Sequence, residues 1–171
     1  MKKQHSAEPL SEEAKILMMY LEQYSICMHK KAMLEVRRRN IMIEFDYPIS
    51  GIQYDGMPKG NKLSDGSASL AYRLDEIDTK ILQQKESASK LLLEIMNILE
   101  LLPENSIERD VLEARYIDCN KTGKVCNVLH MSRSCVYQYT KDGLNKLLTF
   151  ENVQDILKNY KQSLIDEGVC I

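Results

Sequence analysis

Between Cys119 and Leu148 the sequence places five cations, Lys121, Lys124, Arg133, Lys141 and Lys146, against a single carboxylate, Asp142. This local charge of +4 sits in a chain whose formal net charge is −2. Clustered cations of this kind can hold backbone phosphates. Among them stand Ser132, Ser134, Tyr137 and Gln138, whose hydroxyl and amide groups both donate and accept. Together with Arg133 they could address base edges in a DNA groove. A solvated helix face would also tolerate five cations, so the charge supports nucleic-acid binding without deciding it.

The spacing of the neighbouring apolar residues says how these groups would be positioned. A scaffold helix is predicted to end near Tyr116 and Ile117, with a turn at Cys119–Asn120. A short helix then carries Val125, Cys126 and Leu129, and the chain breaks at His130–Met131. Ser132 is suited to cap a second helix by accepting from its free first-turn N–H groups. That helix has Val136, Tyr139, Gly143, Leu144 and Leu147 on one side and Arg133, Ser134, Tyr137, Gln138 and Lys141 on the other. Cys126 supplies the small side chain that a helix crossing needs. His130 takes the turn position where glycine is frequent. The pattern is that of a helix-turn-helix, whose second helix would enter the major groove. Helix-pair packing with no nucleic-acid role is the plain alternative.

The stretch from Arg115 to Leu147 resembles the promoter-reading C-terminal domain of bacterial sigma factors. It is similar, more closely, to the ArpU/RinA-type regulators of late transcription in phages and prophages. Those proteins also carry an upstream DGMPKG loop followed by a Ser-Asp pair, and this chain has Asp55–Gly60 and then Ser64 and Asp65. The resemblance implies sequence-specific binding of duplex promoter DNA and no catalysis. By position it implies that Arg133, Ser134, Tyr137, Gln138 and Lys141 face the DNA.

The remaining sequence reads as helical support. The 171 residues carry no Trp and two Phe, so a core must be built from Leu, Ile, Met and Val. Ser11 followed by two glutamates starts a helix, and no Gly or Pro interrupts it before Tyr47. Leu17, Tyr20, Tyr24, Cys27, Leu34, Ile41 and Phe45 share one face, with Lys31 and Arg38 filling the gaps. A Gly/Pro-rich loop is predicted over 48–66, long enough to be a functional loop. A second helix is predicted over Ala68–Leu102, its seam running Leu74, Ile77, Ile81, Gln84, Ala88, Leu91, Ile95, Ile98 and Leu102. The two helices could close a hairpin within one chain, pair between copies, or both. Pro103 stops the second helix and Ser106 restarts the chain. The tail from Glu151 carries Val153, Ile156, Leu157, Tyr160 and Leu164 on one side.

The expected fold is therefore all-α. It has a long-helix, coiled-coil region over 1–104, a helix-turn-helix over 105–150 and a helical tail over 151–171. The basic cluster Lys30, Lys31, Arg37, Arg38 and Arg39 could be a second DNA-backbone contact, a face for RNA polymerase, or a solvated helix surface. Three histidines and no paired acidic motif offer little to a catalytic centre, and no enzyme is expected. Cys119, Cys126, His130 and Cys135 lack the knuckle spacing of a zinc site, and the glycines of 51–66 form no phosphate loop, so no metal or cofactor is expected. No apolar run approaches a membrane span. Five scattered cysteines without a leading signal segment read as reduced cytosolic thiols, and the resemblance to phage regulators implies a place in the cytoplasm of a bacterial host, with the nucleoid. Two other functions stay open: a DNA-packaging subunit of the small-terminase kind, marked by ring oligomers, and a helical module that binds protein alone.

Overall fold

The structure is a computed structural model that describes residues 10–46, 63–166 and 168. The described residues are all-helical: α1 (Glu12–Asp46), α2 (Leu63–Leu99), α3 (Ile107–Leu112), α4 (Thr122–Val128), α5 (Arg133–Leu147) and α6 (Glu151–Asp166). The chain divides into two compact units, one formed by Met1–Ser25 with Leu91–Ile171 and the other by Ile26–Lys90.

Helix α1 begins where its cap predicts, with the Ala14 amide donating to Ser11 Oγ at 3.2 Å. Helix α2 differs from its predicted limits of 68 and 102. It starts at Leu63, so Gly66 lies inside it, and it ends at Leu99. One glycine costs a helix only about 1 kcal/mol, which a helix of 37 residues absorbs. At the far end, tighter bonds from Leu101 to Ile98 and from Leu102 to Leu99 end the α2 pattern before Pro103 is reached. The Asp55–Gly60 motif and most of the predicted loop lie outside the described residues.

The larger unit is built on a core that includes Leu17 and Leu21 of α1, Ile95 and Leu99 of α2, and Leu144 and Leu147 of α5. Val153 and Leu157 of α6 join it, so the helical tail packs on the chain itself. Full burial of each such side chain is worth roughly 1.5–3 kcal/mol. Polar contacts close the edges: Tyr20 donates to Glu94 at 2.6 Å, and Gln23 donates to the Tyr160 hydroxyl at 2.9 Å. Burial, followed by the Glu94 carboxylate, raises the Tyr20 phenol above its usual value, so it stays protonated as the donor. Ile95 and Ile98 are buried among the chain's own side chains, so this end of the seam is filled from within.

The smaller unit is an antiparallel pair made from the later part of α1 and the earlier part of α2. Leu34, Ile77 and Ile81 are half-buried along it, while Ile41 and Ala88 are buried. The two charged interruptions of the α1 stripe have partners. Arg38 forms a two-pronged pair with Asp78 of α2, Nη2 lying 3.2 Å from Oδ2. Lys31 reaches Glu35 one turn along at 3.5 Å.

Candidate nucleic-acid interface

Helix α3 starts at the Ser106 cap, whose Oγ accepts from the Arg109 amide at 3.3 Å. It does not run on as an α-helix to Ile117. Residues Glu113–Ile117 form a π-helical turn, which widens the backbone by one residue. The Asp118 amide donates to the Glu113 carbonyl at 3.1 Å, and the Asn120 amide to the Ala114 carbonyl at 3.2 Å. Cys119 sits between them at φ 52°, in the left-handed region, and ends the helix. Ala114 and Tyr116 of this turn are both buried, Ala114 in the smaller core and Tyr116 in the larger one.

Helix α4 ends by a related device. His130 is left-handed at φ 54°, and the Met131 amide donates to the Cys126 carbonyl at 2.9 Å. This is the six-to-one bond of a Schellman ending, with Met131 and Cys126 on the apolar side of the turn. Histidine is tolerated there better than most residues with a Cβ. Ser132 then caps α5, accepting from the Cys135 amide at 3.3 Å and meeting Ser134 Oγ at 2.9 Å.

A second, smaller core lies under this turn: Val111, Ala114, Val125 and Val136 are buried, with Cys126, Leu129, Met131 and Tyr139 packed around them. Val125, fully buried, lies at the centre where Cys126 was expected, and Cys126 is only half-buried. Farther along α5, Gly143 faces α3. A Cβ there would come within 2.8 Å of Leu112 Cδ1 and 3.2 Å of Glu108 Cβ, so glycine permits the close approach.

These contacts sort α5 into two faces. Val136, Thr140, Gly143, Leu144 and Leu147 are buried, and the Thr140 hydroxyl is satisfied by the Val136 carbonyl at 2.7 Å. Arg133, Ser134, Tyr137 and Gln138 are exposed, and Lys141 is half-buried beyond them. Lys121 and Lys124 are exposed at the start of α4. The outward face thus gathers a guanidinium, hydroxyls and an amide at helical spacing, with flanking ammonium groups.

Two acidic residues shape this surface in ways that sequence spacing alone did not give. Gln138 Nε2 donates to both Asp142 carboxylate oxygens, at 3.0 and 3.1 Å. Lys146 is drawn to α3, its Nζ 2.7 Å from Glu108 Oε1. The hydrogen bond from Lys146 holds the Glu108 carboxyl below its usual range. Among the described residues no three His, Cys, Asp or Glu side chains gather as a metal site would require, and no helix is long and apolar enough to cross a membrane. No protein-family model matches this sequence, and neither the curated proteins nor the solved structures give a match.

Proposed function

We propose that this protein binds duplex DNA with the α4–turn–α5 segment and regulates transcription, in the manner of the phage and prophage late regulators its sequence resembles. One observation carries the reading: Arg133, Ser134, Tyr137 and Gln138 are all exposed in the first two turns of α5, while Thr140, Gly143, Leu144 and Leu147 anchor its later turns in the core. These four have no packing duty to explain them. An exposed face of that chemistry at the start of a capped helix is what a major groove accepts. Lys121, Lys124 and Lys141 supply charge beside it for phosphates. In this reading α4 crosses the backbone and α5 enters the groove.

Selection of genomic fragments by the purified protein, followed by sequencing, tests it. Arg133→Ala and Gln138→Ala should each cost roughly 1–3 kcal/mol on the selected site and far less on a scrambled one. Lys141→Ala should reduce the salt slope of binding by about one unit on both DNAs. Equal small losses on both sequences for Arg133→Ala and Gln138→Ala would remove base reading from this face. Failure to enrich any fragment would remove sequence-specific binding altogether.

A further inference from the structure

The smaller unit carries a groove along one edge of its helix pair. Two contiguous hollows of about 420 and 390 Å³ share Leu34, Arg37 and Lys80. Met33, Leu34, Ile41 and Ile77 give the groove an apolar lining. Its charged residues are Lys30 and Arg37 from α1 and Arg73 and Lys80 from α2, against one carboxylate, Glu76, which pairs with Lys80 one turn along α2 at 2.5 Å. The other edge of the pair differs, because there Arg38 is matched by Asp78 across the helices. The Arg38 edge is bridged across the helices by complementary charge; this edge is apolar at its base and keeps a net positive rim.

We propose that this groove docks an amphipathic helix of another protein, one that presents leucine-like residues inward and carboxylates on its flanks. A third helix laid between two antiparallel ones is the ordinary way to bury a half-covered seam. Lys30 and Arg37 stand seven residues apart on α1, and Arg73 and Lys80 seven apart on α2. Two parallel rows of cations therefore border the apolar line at coiled-coil spacing, where flanking charges choose the partner.

Charge selects among occupants. A second copy of the same groove would bring four more cations to this edge, which repels. The chain's own segment 47–62 offers Asp55 against Lys59 and Lys62, so it does not complement the rim. Nucleic acid would use the cations and leave the apolar lining without a function.

The test is a selection from a displayed library of randomised 18-residue helices, run against the full-length chain. The same selection against the Lys30→Glu/Arg37→Glu variant identifies groove-dependent sequences. Circular dichroism confirms that the variant keeps its helix content, and Lys85→Glu, an exposed change outside the groove, serves as control. Enriched helices should carry apolar residues at three–four spacing with Asp or Glu beside them. A synthetic peptide of the enriched sequence should bind one chain to one peptide. Its affinity should fall at least tenfold with the double variant and stay unchanged with Lys85→Glu. The proposal is overturned by enrichment of basic helices, by the absence of groove-dependent enrichment, or by a doubling of mass that the double variant abolishes. It is equally overturned if duplex DNA, and no peptide, loses affinity in the double variant.

Discussion

Gly143 of α5 and Leu112 of α3 approach so closely that a single added methyl would stand 2.8 Å from the leucine Cδ1. Leu112 is fully buried and belongs to the main core, so it has little room to swing aside. Gly143→Ala gains up to about 1 kcal/mol of helix propensity but overpacks the crossing, which typically costs about 1–3 kcal/mol. A net loss of stability is expected, read as a lower urea midpoint with an unchanged slope. A raised midpoint would show that the crossing relaxes without cost.

The Glu108–Lys146 pair makes stability depend on acid. The folded carboxyl titrates below its usual value because Lys146 bonds its charged form. The stabilisation is therefore complete above the unfolded value, near 4.5, and is lost as pH falls through the folded one. Wild type should melt higher than Glu108→Gln at neutral pH, and the difference should shrink steadily below about pH 4.5. The pair is partly exposed, so the effect is modest and weakens in salt. A difference that is constant from pH 7 to pH 3 would assign it to packing.

Tyr116 is almost completely buried, and its hydroxyl has no hydrogen-bond partner. Burial pushes its phenol up to about 12. An unsatisfied buried hydroxyl costs about 1–3 kcal/mol. Tyr116→Phe should therefore be neutral or more stable in chemical denaturation, while Tyr116→Ala should lose about 3–5 kcal/mol through its cavity. Destabilisation by the phenylalanine would point to a water held by the hydroxyl.

Asp142 holds Gln138 through two hydrogen bonds and is the one carboxylate of the basic stretch. If the face engages DNA, Asp142→Asn should tighten duplex binding severalfold and steepen its salt slope. Filter binding across a salt series measures both. Unchanged affinity would place Asp142 away from the contact surface.

Much of this architecture is legible in the sequence because local chemistry dictates it. Ser11, Ser106 and Ser132 each mark a helix start, and the structure shows all three accepting the capping bond. The division of α5 into buried and exposed faces follows from its three–four spacing. The start of α2 was hidden by Gly66, since a breaker's small cost is visible locally whereas the support of a long helix is not. The π turn was hidden too: Glu113–Ile117 has an ordinary helical composition. The pairing of Lys146 with Glu108 spans 38 residues and exists only once α3 and α5 pack. Val125 rather than Cys126 takes the fully buried place under the turn, with Cys126 packed beside it.

Helix α5 ends in two different cores. Its first turns rest on a cluster of four small buried side chains, Val111, Ala114, Val125 and Val136, and its last turns on the much larger assembly around Leu144 and Leu147. Cooperative strength is therefore graded along one rod. The seven-residue α4 and the turn before Ser132 are expected to open while the far end of α5 holds. In hydrogen exchange, amides of α4 should lose protection well before those near Leu144. Whatever settles on the outward face of α5 stabilises the weaker of the two ends.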